Sequence, residues 1–250
     1  MSDAAAGGGV APSEGWGVLH LYFRLAGDRR DQLDVAQVED LCRAFCAQEP
    51  YQAIWQAVLG QRADLGLMLL GPDLARLRRL HGALLASPLG ARLAEVPELG
   101  LVSLTELSDY TPREGDERHL AMLEARLHPR LPARRLLCFY PMSKRRAGDD
   151  NWYLLPFDER QSLMLAHGRV GRTYHGRILQ LITGATGLSD WEWGVTLLAD
   201  DPKAIKDIVY EMRFDEASAR FGEFGHFTVG LVGSLRDSLA AVGARVEAPA

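Results

Sequence analysis

Residues 64–73 read "DLGLMLLGPD" and residues 192–201 read "EWGVTLLADD", and the two align without a gap. In each, an apolar run of strand length leads straight into the start of a helical pattern. A strand-into-helix unit that recurs in two halves of one chain points to internal duplication. The segments on either side decide whether it is one.

Outward from 64–73, the first half gives a strand at 17–25 ("GVLHLYFRL") and a helix at 31–48. Strands at 51–59 and 63–71, a helix at 72–87 and a strand near 100–110 complete it. Around 192–201 the same order returns: strand 134–142, helix 157–176, strands 177–184 and 191–200, helix 201–221 and strand 226–235. Asp158 with Gln161 three later, just after Pro156, has the form of a helix start. Both halves read β-α-β-β-α-β. The expected fold class is therefore α+β, with tandem ferredoxin-like halves arranged as a dimeric α/β-barrel-like body, helices outside. The halves span 14–110 and 134–250, joined by a charged connector at 111–133. Small residues and glycines make 1–13 an expected disordered tail.

A net charge of −5 on 250 residues disfavours nucleic acid as a partner. Basic clusters stand at "RLRRL" (76–80), "RLHPRLPARR" (126–135) and "SKRR" (143–146), which suits a small anionic ligand or plain solvation. The three cysteines, Cys42, Cys46 and Cys138, form no paired framework and fit a reducing compartment. Cys42 and Cys46 share a helical face, but two thiolates alone make a poor metal site. The first residues lack the cationic and apolar regions of a signal peptide, and no run approaches the ~18 apolar residues of a membrane span. The expected location is cytoplasmic.

Among His20, His81, His119, His128, His167, His175 and His226, the fifth stands out through its neighbours. Met164, His167, Gly171 and Tyr174 fall on one stripe of a helix. Gly168 and Gly171 each cost up to about 1 kcal/mol in a helix relative to alanine. Either something flat approaches this helix closely, or it makes a tight contact with the sheet. On the strand exit at 138–146, "CFYPMSKRR", Tyr140, Met142 and Lys144 alternate and so point the same way. Arg213 lies five residues before Ser218, where a loosening helix end could bring both to one anion; the plainer role for Arg213 is an ion pair with Glu211, Asp215 or Glu216.

Four long segments, "CFYPMSKRRAGDDNWYLLP", "MLAHGRVGRTYHG", "DWEWGVTLLADD" and "VYEMRFDEASARFGEFGHFTVG", resemble the coproheme decarboxylases of the chlorite dismutase-like superfamily. The resemblance is dense from about 134 to 232 and extends to the first half only in pattern. It implies a haem site in the second half that takes iron coproporphyrin III as substrate and redox cofactor. Hydrogen peroxide would be the oxidant, and two propionates would leave as carbon dioxide to give haem b. It implies His167 as the proximal iron ligand and Tyr140 as the residue that becomes a radical and takes hydrogen from a propionate. By the same match, Arg126, Lys144, Arg213 and Ser218 hold propionates, Met142 and Trp152 line the porphyrin, and Gln180 is distal. A homopentamer is implied; ferrochelatase is left open as a partner.

The resemblance departs from the chlorite dismutases at one informative place. Those enzymes carry arginine at the distal position, where this chain has Gln180, which favours decarboxylation. His119 and His128 fit no motif for a distal base, so the base that activates peroxide is unassigned. The competing readings are a chlorite dismutase or haem peroxidase, and a haem carrier or sensor without catalysis. A carrier would need the iron ligand and the cations but not Tyr140.

Overall fold

The computed structural model describes residues 9–29 and 31–247. Eight strands make the frame: β1 (Gly17–Leu25), β2 (Gln52–Leu59), β3 (Leu65–Gly71), β4 (Leu101–Thr105), β5 (Leu136–Lys144), β6 (Ile178–Gly184), β7 (Trp193–Ala199) and β8 (Thr228–Gly233). The first half orders its strands β2-β3-β1-β4 and the second β6-β7-β5-β8, the ferredoxin-like order in both, with every pair antiparallel. β8 pairs with β2 and β6 with β4, so the two sheets join at their edges into one closed barrel. Closure leaves no free barrel edge. The duplication read at 64–73 and 192–201 is visible directly: β3 and β7 start and stop at equivalent residues. Asp73 and Asp201 then cap the helices that follow, accepting from the backbone N–H of Ala75 and Lys203.

Strand alternation divides the side chains into an inner core and two outer ones. The inner core mixes both halves, with Val18, Tyr22, Met68 and Leu70 against Leu137, Phe139, Leu181 and Leu198. Outside the first half, α1 (Ala36–Cys46) and α2 (Leu74–Leu85) cover the sheet with Val38, Phe45, Leu77 and Leu84. Outside the second, the cluster runs from Leu136, Cys138, Val195 and Leu197 to Ile205 and Ile208 of α5 (Pro202–Met212). The connector contains α3 (Glu117–Leu127), and α4 (Phe157–Arg172) begins the second half's helical layer.

Several expectations shift. The helix read over 201–221 breaks into α5 and a single turn, α6 (Glu216–Ala219). Asp215 causes the break locally, because its side chain caps α6 by accepting from Ser218 N–H, in competition with a continuing helix. α4 starts at Phe157 as read and ends at Arg172, four residues early, with Pro156 at the N-cap and no capping side chain, so Asp158 does not cap it. The helix read over 31–48 begins at Ala36, because residues 32–33 pair in parallel with 245–246. α7 (Leu235–Ala241) crosses back and buries Leu235 and Leu239 in the first half's outer core. Of the expected tail, residues 1–8 lie outside the described residues, while Val10 exchanges hydrogen bonds with Asp73 and Leu74 at the start of α2.

Candidate functional site

The two halves place equivalent helices differently. α1 buries Val38 and Phe45 in its outer core, whereas the sixteen residues of α4 bury only Gly171. Leu165 of α4 is half exposed at 51%, and Ile182, on the helix side of β6, is 46% exposed. Leu165 lies on the outward stripe of α4 with Ser162, Arg169 and Arg172, while Gly171 marks the side of the helix that meets the sheet. His167 projects from α4 with its side chain 30% exposed.

His167 Nδ1 donates to Asp215 Oδ2 at 2.7 Å. That bond fixes the proton on Nδ1 and leaves the lone pair of Nε2 available, the form of imidazole that binds metals. Ser218 Oγ stands 3.5 Å from the same Nδ1, and Ser218 N–H also donates to Asp215. Burial alone would raise the Asp215 carboxyl, but the bonds from His167 and Ser218 outweigh it and hold the group below its ordinary range.

Lys144, at the end of β5, is 6% exposed. Its ammonium donates to Ala217 O at 2.8 Å and lies 4.5 Å from the ring of the buried Trp152. Burial lowers its pKa to about 8 despite the opposing carboxylates of Asp215 and Glu192. Tyr140, two pairs back along β5, stacks on Phe227 at 4.1 Å and meets Phe224 edge-on at 6.0 Å. Burial, with a contribution from Cys138, pushes its phenol well above the usual range, and Arg213 pulls the other way. The Arg213 guanidinium sits 5.8 Å from the Phe224 ring. The ion pairs considered for Arg213 do not form: among the described residues it has no carboxylate partner in salt-bridge range. Met142 is half buried in the same outer cluster.

Tyr140, Met142, Lys144, Trp152, His167, Arg213 and Ser218 are therefore brought into one neighbourhood around α4, α6 and the end of β5. Two other expected residues behave differently. Gln180 Nε2 donates to Gly171 O at 3.1 Å, so it bridges from β6 to α4, the helix of His167, instead of standing free. The approach at Gly171 is tight: an added Cβ would lie 3.2 Å from both Gln180 and Met212, whose side-chain ends would have to give way. The close approach read from the sequence is here a helix–strand contact, and at Gly168 an added Cβ would meet only the Arg172 side chain of the same helix. Arg126 is exposed on α3 and no contact joins it to the group; α3 is tied instead to β4, through Thr105 Oγ1 and Leu127 O. Sequence reasoning did not single out Asp215 or Glu192 as site residues. Glu192 is 6% exposed and accepts from Lys144 N–H at 2.7 Å; an acid at the mouth of an apolar strand was its only sequence signal.

A family model for chlorite dismutase matches residues 32–233. The chain belongs to the chlorite dismutase family. A haem-binding protein of Thermus thermophilus, identified from its structure, is 40% identical over 92% of this chain and 96% of its own, with a TM-score of 0.82. A mutant chlorite dismutase of Candidatus Nitrospira defluvii shares 18% identity over 93% of this chain and 97% of its own, at a TM-score of 0.75. A putative chlorite dismutase is 20% identical over 91% and 99%, at 0.73. These last two likenesses show the shared fold. No helix among the described residues is long and apolar enough to cross a membrane.

Proposed function

We propose that this chlorite dismutase-family protein is a coproheme decarboxylase. It would remove two propionates of iron coproporphyrin III with hydrogen peroxide and yield haem b. The observation that carries this reading is His167, partly exposed, its Nδ1 committed to Asp215 and its Nε2 without a partner among the described residues. The residues fit an iron porphyrin. One imidazole nitrogen is left for the metal, Tyr140, Met142 and Phe227 supply apolar surface nearby, and Lys144, Arg213 and Ser218 suit carboxylates at the rim. The haem-binding Thermus relative supports the ligand class.

The iron porphyrin, when bound, supplies oxidising capacity from peroxide. Each propionic acid side chain and one hydrogen peroxide give a vinyl group, one carbon dioxide and two waters. His167 orients the group from α4. Lys144, Arg213 and Ser218 hold its rim, and Arg126 would join them only from outside the cluster described above. Met142 and Trp152 would line the porphyrin, and Tyr140 would exchange hydrogen with a propionate. Gln180 would be the distal residue, a role that its present bond to Gly171 O does not itself express. Assembly as a homopentamer, a cytoplasmic location and contact with ferrochelatase complete the proposal. The deciding experiment adds peroxide to the coproheme complex and follows product masses; unchanged coproheme would sink it.

Gln180, where chlorite dismutases carry arginine, sets a second expectation. The haem-loaded protein should evolve little or no oxygen from chlorite over repeated turnovers. Sustained evolution, read with an oxygen electrode, would promote the chlorite dismutase reading above this one.

The cations give a third. Lys144→Met should weaken coproheme binding by about 1.5–3 kcal/mol, roughly 10- to 150-fold, and haem b binding less, since haem b has two fewer carboxylates. Arg213→Ala should act in the same direction but more weakly, because solvent screens an exposed cation. The Lys144 pKa of about 8 adds a pH signature: the ammonium that attracts a carboxylate is fully present below that value and lost above it. Coproheme affinity should fall as pH rises through about 8 in the wild type and stay flatter in Lys144→Met. Titrations giving equal losses for both porphyrins would remove Lys144 and Arg213 from the reactive propionates.

A further inference from the structure

Arg160 stands on the His167 side of α4 with no carboxylate in salt-bridge range among the described residues. Arg160, Met164, His167 and Gly171 fall at i, i+4, i+7 and i+11, on one stripe of the helix. Arg160 is partly buried, and its Nε is wholly buried with no hydrogen-bond acceptor. Its guanidinium lies 5.9 Å from the Phe157 ring, which in turn is 5.5 Å from the ring of Tyr110. Burial raises the Tyr110 phenol, with a contribution from Asp109, against the pull of Arg160 and of a hydrogen bond with Trp152. The same Trp152 ring has the Lys144 ammonium 4.5 Å away. Through Tyr110 and Trp152, Arg160 thus adjoins the rim cation, while no contact joins it to Tyr140.

We propose that Arg160 is a further carboxylate-binding residue of this site and holds a propionate that the reaction leaves intact. The proposal rests on His167 binding an iron porphyrin. A guanidinium offers paired donors to the two oxygens of a carboxylate, and a partly buried cation without an anion is costly to keep. Seven residues of helix set Arg160 about 10 Å along the axis from His167. That is the scale of the reach from the metal of a porphyrin to a carboxylate at its rim, so one molecule can meet both side chains. Tyr140, the group that would take hydrogen, is surrounded by Phe224, Phe227 and Arg213. Arg160 shares none of these neighbours. A propionate held at Arg160 is therefore away from that phenol and persists in coproheme and haem b alike.

The test titrates wild type, Arg160→Gln and Arg160→Lys with iron coproporphyrin III, with haem b and with the tetramethyl ester of iron coproporphyrin III. Arg160→Gln should weaken coproheme and haem b alike, by roughly tenfold, the lower end for one charge-assisted bond. The ester, which has no carboxylate, should bind as it does to wild type. Lys144→Met gives the contrast, since its loss should be greater for coproheme. Arg160→Lys keeps the charge without the fork, should recover part of the loss, and serves as the working variant if the glutamine protein folds poorly. The unloaded Arg160→Gln protein should keep its thermal stability, because no ion pair is broken. A loss confined to coproheme would put Arg160 at a reactive propionate and overturn the assignment. Unchanged affinity for both porphyrins, or an equal loss for the ester, would overturn it as well and leave Arg160 a packing residue. Failure of the underlying reading looks different, since wild type itself would then show no histidine-ligated spectrum with any of the three ligands.

Discussion

His167→Ala should abolish the histidine-ligated spectrum of bound iron porphyrin and weaken its retention. The loss should exceed the roughly 10- to 100-fold that outer-shell changes around a metal cost, because here the ligand itself goes. The protein should still fold: His167 belongs to none of the three apolar clusters, and its side chain is partly exposed. Some porphyrin should remain through the carboxylate contacts of Lys144, Arg213 and Ser218, so the spectrum is the sharper readout. An iron spectrum identical to wild type would hand the ligand role to another residue. With the imidazole gone, Asp215 loses its strongest partner while staying buried, so a modest fall in thermal stability should accompany the spectral loss.

The fold was legible where local pattern and burial agree. The register of 64–73 on 192–201 carried straight into β3, β7 and their capping aspartates, because an apolar strand followed by an N-cap is a local signal. A barrel-like body was expected as well, but not which strands close it. The β8–β2 and β6–β4 pairings join residues far apart in sequence, and nothing in either strand names its partner. The break between α5 and α6 was hidden because "MRFDEASA" keeps a helical period and only the side-chain bond of Asp215 interrupts it.

The site was legible in part, and for mixed reasons. Alternation put Tyr140, Met142 and Lys144 on one side of β5, yet Lys144 turns in to Ala217 and Trp152, which alternation cannot show. The two glycines of α4 looked alike in sequence and differ in space: Gly171 admits Gln180, and Gly168 faces no second element. Arg126 entered by resemblance alone and no contact draws it to the others. Asp215 was weighed only as a partner for Arg213, because its real partner, His167, lies 48 residues away in sequence. What set the second half apart was a contrast between equivalents. Val38 and Phe45 seal α1 to its sheet, while the corresponding helix carries "LMLAHGRVG" and does not.

Tyr140→Phe should fold, bind coproheme with little loss, and react with peroxide while releasing no carbon dioxide above the protein-free control. The structure makes this a clean substitution. Tyr140 is held by its ring, stacked on Phe227 and edge-on to Phe224, and phenylalanine keeps both contacts. Its hydroxyl has no hydrogen-bond partner among the described residues, so removing it leaves no buried group unpaired and should change stability by well under about 1 kcal/mol. Burial holds the phenol protonated at neutral pH, so an O–H is present to be given up. Loss of proton and electron together leaves a neutral radical, which a half-buried apolar surround tolerates better than a phenolate. The propionate would give that radical a hydrogen atom and pass a second electron to the oxidised porphyrin, so that carbon dioxide leaves, a vinyl group forms and the two electrons taken match one peroxide reduced to water. Phenylalanine has no hydrogen to offer in this way. The competing role is a carboxylate anchor, in which case the variant would bind coproheme more weakly yet turn over normally once saturated. Product masses at saturating coproheme separate the two roles, since efficient conversion to haem b by Tyr140→Phe would leave Tyr140 as a clamp and move the hydrogen transfer elsewhere.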